Sequence, residues 1–302
     1  IAKAAAGNYK LGRIKLDAAA VAVNLPPASP FAGFGAAQGI FALERHIAKI
    51  AGTLGVDAAE WRKNHYNEKK IPSGELEKLT ETLMDQGDYR RKWAAYELLR
   101  RRAEISGEKI QPMRGIGIMS LAYEYCYPHY NFDDIYGAKF LQKKDAGQAG
   151  KPPPLTAAII ELEIDLIDFS PKIRSIWMSV CTGKLIDSHA VRRALIQNII
   201  CALGWTAYEK LDYEEGKIHE DKYLNYCFAT SAPIPRINLF LSESSHKENH
   251  PELISELPYC VIPAAYLQAL TQACNHHFES IPALARDVCF TLDGHRQELQ
   301  GE

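Results

Sequence analysis

Apolar side chains recur at helical spacing over residues 39–55, where Ile40, Leu43, Ile47, Ile50 and Leu54 fall on one face. The spacing predicts a helix stopped by Gly55. Asp57-Ala58-Ala59-Glu60 has the pattern of a capping box and predicts a short helix after it. Beyond the breaker Pro72-Ser73-Gly74, residues 75–105 read as two helices split near Gln86-Gly87-Asp88. Residues 8–24 alternate and predict one or two strands. The period is again strand-like over residues 113–127, from Met113 through Tyr125, before an aromatic-rich loop.

In the second half, Ala157 to Asp168 alternates as a strand, with Ile173 to Cys181 as its partner. Asp187 is placed to cap a helix running through Val191, Leu195, Ile199 and Leu203, which Gly204 interrupts. Two short strands flank Glu214-Glu215-Gly216-Lys217, residues 233–241 read as extended, and a last helix is expected from Pro263 to His277. The stretch from Gln142 to Pro154, rich in Lys, Gly and Pro, is the clearest linker. These elements predict an α+β protein with mixed sheets covered by helices. The expected division is a first domain over 1–141, a linker over 142–154 and a second domain over 155–302.

Composition adds exclusions. With 302 residues, 47% apolar and 24% charged, the chain is an ordinary globular protein long enough for a large core. A net charge of −2 gives no basic field for nucleic acid. The clusters Arg90-Arg91-Lys92 and Arg100-Arg101-Arg102 read as one solvated helix face. No run of about 18 apolar residues calls for a membrane span. The first residues lack a Met and are too weakly apolar for a secretory signal, as expected of a processed or partial product. Seven cysteines without C-x-x-C spacing, most in apolar surroundings such as Ile200-Cys201-Ala202, point to reduced, buried thiols and a cytoplasmic setting.

One short motif is built to hold something. Pro26 to Pro30 leads into Phe31-Ala32-Gly33-Phe34-Gly35, and a helix follows at once. Glycines around an aromatic permit close backbone approach, and free N–H groups at a helix start can meet an anion or a cofactor oxygen. A tight strand-to-helix turn explains the same residues. Arg114-Gly115-Ile116-Gly117-Ile118 is a lone G-x-G in a strand, explained equally by close packing or by ligand approach. Adjacent His276 and His277 point apart and do not make a metal pair, and His246 and His250 lie in a polar loop. Glu256, within the apolar run Leu253 to Pro263, either sits at an exposed turn or lies in a pocket, where it can act as a general base.

In order, these blocks resemble the molybdopterin-binding subunit of the xanthine dehydrogenase and aldehyde oxidase family of molybdenum hydroxylases. Residues 31–38 resemble its R-G-F-G-x-P-Q motif, Leu54-Gly55-Val56-Asp57 through Asn64 its following helix, and Arg114 to Ile118 its next strand. Thr182 to Ser188, Ala202-Leu203-Gly204 and Tyr213 to Ile218 continue the series, and Ser255-Glu256-Leu257-Pro258 resembles G-E-P-P.

The resemblance implies a water-derived hydroxylation of a heterocycle or aldehyde carbon, with Glu256 as the catalytic base. It implies molybdopterin contacts at Ala32, Gly33, Gly35 and Cys201, and substrate contacts at Phe34, Tyr127 and Pro128. It also implies a larger heteromeric complex with FAD and iron–sulfur subunits or domains, and a chain supplying a missing G-Q-G cofactor loop. Where the family has arginine this chain has Ala32, and where it has glutamine this chain has Cys201. A degenerate, non-catalytic relative serving as a scaffold or binding subunit is the alternative. An unrelated ligand-binding protein is a third reading.

Overall fold

The computed structural model describes residues 1–2, 4–19, 21–24, 32–33, 35–67, 71, 74–106, 113–123, 153–183, 185, 187–215, 217–218, 226–229, 234–244 and 254–300. It is an α+β fold around one mixed sheet. Strand β1 (Met113–Ala122) pairs antiparallel with β2 (Leu155–Ile164), which pairs antiparallel with β3 (Pro171–Thr182). The pair β4 (Tyr213–Glu214) and β5 (Lys217–Ile218) forms a separate ribbon. Strand β6 (Arg236–Glu243) closes the main sheet parallel to β3. Because β1 lies in the first expected domain and its neighbours in the second, the two share one sheet. Residues 142–152 of the expected linker lie outside the described residues.

Both sheet faces are buried, and strand alternation shows which side chain goes where. On β2, Ala158, Ile160, Leu162 and Ile164 enter one core cluster while Leu155, Ala157 and Ile159 enter the other. The first cluster is covered by α1 (Ala36–Thr53), α5 (Ser188–Leu203) and α6 (Leu257–Cys274). The second is covered by α2 (Ala58–His65), α3 (Glu75–Gly87) and α4 (Tyr89–Ser106). A further helix, α7 (Ala285–Gln300), follows a segment in which no helix was expected.

Local chemistry explains most boundaries. The Asp57 side chain accepts from the Ala59 N–H at 3.0 Å and starts α2. Asp187 accepts from His189 and Ala190, each at 2.9 Å, and starts α5. Gly55, with φ 68°, ends α1. Two expectations fail. The described residues of 8–24 form no strand, and among them a single bridge joins Tyr9 to Tyr66. The last long helix begins at Leu257 and not at Pro263: Pro258 sits in its first turn and Pro263 lies inside it. Every residue from Leu257 to Leu267 is buried, so packing on all sides outweighs the lost hydrogen bond at Pro263.

The G-x-G of β1 is a packing device. A Cβ at Gly115 would collide with the Ala269 carbonyl, and one at Gly117 with the Ala265 carbonyl, 2.6 Å from the Ala269 nitrogen. The backbone of α6 therefore lies directly on β1. Gly117→Ala is expected to push the helix off the strand and to destabilise the fold by about 3 kcal/mol. Thermal or urea unfolding measures it, and a change below about 1 kcal/mol would contradict this account.

Candidate active site

Alternation along β1 sends Gly115, Gly117, Met119 and Leu121 toward α6, and Tyr123 continues that face just past the strand end. The correction to the start of α6 matters here. Glu256 is now the residue immediately before the helix, at its positive end. The two side chains meet: the Tyr123 hydroxyl donates to Glu256 Oε2 at 2.8 Å. Glu256 is 9% exposed and Tyr123 2% exposed. Among the described residues, Glu256 Oε1 carries no hydrogen bond.

The glycine turn closes over this pair. Gly33 and Gly35 take φ values of 80° and 85°, left-handed conformations that a side chain rarely adopts. A Cβ on Gly33 would stand 3.4 Å from the Tyr123 hydroxyl oxygen. No side chain caps α1, whose first-turn N–H groups follow Gly35. Ala32 packs half-buried against the same core cluster. Gly33, Tyr123 and Glu256 are thus one site, built from residues far apart in sequence.

Cys201, expected to be a buried thiol, is exposed. It hydrogen-bonds Tyr259, one helical turn beyond Glu256 on α6. Burial, then the neighbouring Cys201, pushes the Tyr259 hydroxyl well above its ordinary pKa. Trp205 lies 6.4 Å from the Tyr259 ring, and Tyr226 donates to nearby Glu209 at 2.9 Å. Phe34, Tyr127 and Pro128 lie outside the described residues. Sequence reading missed Tyr123 and Tyr259. The first could have been found as a polar tip on the glycine face of β1. The second could have been found by its spacing of three from Glu256.

A second polar cluster lies away from this site. Arg62 pairs with Glu44 at 2.7 Å, and Tyr9 donates to the same carboxylate at 2.5 Å. Arg45 donates to the Phe278 carbonyl and to Thr271, and its Nη2 meets His277 Nδ1 at 3.1 Å. Burial, then Arg62, lowers Arg45 to about 10; burial, then Arg45, lowers His277 to about 4. His276 instead meets Phe278 edge-on, so the adjacent histidines do point apart. A cavity of about 560 Å³, lined in part by Arg45, Arg100, Gln268 and His277, opens at the far end of α6. It includes none of Gly33, Tyr123 or Glu256.

Residues 1–66 match the model of the molybdopterin cofactor-binding domain family. Over 61 residues the chain is 39% identical to a probable xanthine dehydrogenase subunit from Bacillus subtilis, a match covering 20% of this chain and 8% of that protein. The fold is similar to the reconstituted CO dehydrogenase from Oligotropha carboxidovorans, with a TM-score of 0.71 at 12% identity over 99% of this chain and 56% of that one. It is also similar to the aldehyde oxidoreductase from Desulfovibrio gigas, with a TM-score of 0.59 at 15% identity over 87% of this chain and 41% of that one. The chain thus spans about half the length of these structural relatives. The α+β fold is of the type seen in these enzymes. Residues 1–66 are thus similar to the molybdopterin cofactor-binding domain family, and over the rest of the chain the likeness is one of fold. Among the described residues, no helix is long and apolar enough to cross a membrane.

Proposed function

We propose that this chain is the molybdopterin-binding part of an oxidoreductase that hydroxylates a heterocycle or aldehyde carbon, with Glu256 as its general base. The observation that carries this reading is the state of the Glu256 carboxylate. It is buried at the start of α6, one oxygen is held by Tyr123, and the other has no partner among the described residues. A base must keep one lone pair free and its orientation fixed, and this geometry does both.

The turn fits its share of such a cofactor. The Ala36 N–H is spent on the Gly33 carbonyl at 2.7 Å and a Cβ at Gly35 would meet Ile1 at 2.8 Å, so the uncapped first turn of α1 has the N–H groups of Ala37 and Gln38 left for a cofactor oxygen. Gly33 and Gly35 would contribute backbone, with Ala32 beside them, and Cys201 a thiol already engaged by Tyr259. Bound there, the cofactor supplies the redox chemistry that moves a water-derived oxygen onto the substrate carbon. Glu256 takes up the proton released at Oε1. Phe34, with Tyr127 and Pro128, would face the substrate ring, where an aromatic face can stack. FAD and iron–sulfur partners would carry the electrons away, and a further chain would complete the cofactor cradle.

Ala32 favours a second reading. A methyl group stands where the family motif has a guanidinium, so this turn holds an anion by backbone alone. In that reading the chain is a non-catalytic scaffold or binding subunit. Metal analysis separates the two. Produced with its natural partner chains in a host that makes the cofactor, the complex is expected to contain molybdenum and pterin in stoichiometric amounts. A complex free of both would overturn the catalytic reading in favour of the scaffold.

A further inference from the structure

We infer that Tyr123 is the positioning residue of this site: it fixes the Glu256 carboxylate so that Oε1 alone is presented for proton transfer. The inference rests on the reading of Glu256 as a base. Tyr123 can do this because it is itself fixed from several sides. Its N–H donates to the Pro154 carbonyl at 2.9 Å, which ties the end of β1 to the start of β2. The carbonyl just before it, on Ala122, accepts from the Asn8 side chain. Its ring is buried in the cluster that holds α1, β2 and α6 together.

The hydroxyl then has little freedom. Gly33 comes so close that a methyl group there would stand 3.4 Å from the oxygen, so the turn backs the phenol on one side. On another side lies Glu256 Oε2 at 2.8 Å, a charge-assisted hydrogen bond when the acid is ionised. A carboxylate anchored by one oxygen cannot exchange its two oxygens by rotation without breaking that bond. The glycine turn, the strand end and the helix start are thereby coupled through one hydroxyl. A phenylalanine at 123 would keep the ring and remove that coupling.

Tyr123→Phe tests this directly. Infrared difference spectra on carboxyl-labelled protein, wild type minus Glu256→Gln, isolate the Glu256 carboxylate band without any need for bound cofactor. In the Tyr123→Phe background the antisymmetric stretch is expected to shift, because its hydrogen-bond donor is gone. An unchanged band would overturn the proposal. In the cofactor-loaded enzyme, kcat is expected to fall about tenfold with KM within about twofold, the scale of one hydrogen bond to a charged group. A KM that rises as far as kcat falls would mark Tyr123 as merely structural and would also overturn the proposal. Normal turnover by Glu256→Gln is a different failure. It would end the base reading, while the infrared shift in Tyr123→Phe would still report the contact.

Discussion

Glu256→Gln is expected to lower kcat/KM of the assembled enzyme by about 10²–10⁴-fold, the range that one general base contributes. That is about 3–5 kcal/mol of barrier. The substitution is chosen for what it keeps. Glutamine has nearly the same shape, and its amide oxygen can still accept from the Tyr123 hydroxyl now 2.8 Å from Oε2. What it cannot do is take up a proton. Molybdenum content and melting temperature are therefore expected to stay near wild type while turnover collapses. The converse substitution, Glu256→Asp, keeps the acid but shortens it by one methylene. It should retain part of the activity and lose the bond to Tyr123. If Glu256→Gln turned over at the wild-type rate with its metal bound, the base would have to be sought elsewhere.

That experiment can be framed because Glu256 was legible in the sequence. An acid inside an apolar run is conspicuous, and so is a glycine-aromatic-glycine turn before a helix. Helix caps at Asp57 and Asp187 were legible too, because each depends on residues a few positions apart. What failed depended on long-range packing. Pro263 looked like a helix start because an isolated helix would break there. Burial of every residue from Leu257 to Leu267 supplies what local propensity lacks. The segment at residues 8–24 has strand-like alternation, but among the described residues it finds only the bridge from Tyr9 to Tyr66 and no ladder to join. Cys201 sits among apolar neighbours in sequence, yet its position on α5 points it outward. The link from Tyr123 to Glu256 spans 133 positions, and no local pattern encodes such a distance.

Arg62→Leu is expected to destabilise the protein by about 3–5 kcal/mol, the usual cost of leaving one member of a buried ion pair alone. Arg62 and Glu44 are 1% and 2% exposed, and their 2.7 Å contact is reinforced by Tyr9 on the other carboxylate oxygen. Burial alone would lower the Arg62 pKa, but Glu44, then Tyr9 and Tyr66, raise it above its ordinary value. The guanidinium also donates to the Ile118 carbonyl of β1 at 2.9 Å. Removing it therefore strands both the Glu44 charge and a strand carbonyl. The double variant Arg62→Leu with Glu44→Leu should recover the part of the loss that the lone charge causes, while the Ile118 carbonyl and the Tyr9 hydroxyl stay unpaired. A double-mutant cycle from urea unfolding would measure the coupling, and additive single effects would contradict a tightly joined pair. The consequence reaches the active site. Glu44 is on α1, Arg62 on α2 and Ile118 on β1, and these carry the glycine turn and Tyr123. An uncharged pair of similar bulk should keep those three elements together, so the double variant is expected to retain the Tyr123–Glu256 infrared signature. The single variant should lose that signature at a lower urea concentration than the double variant does.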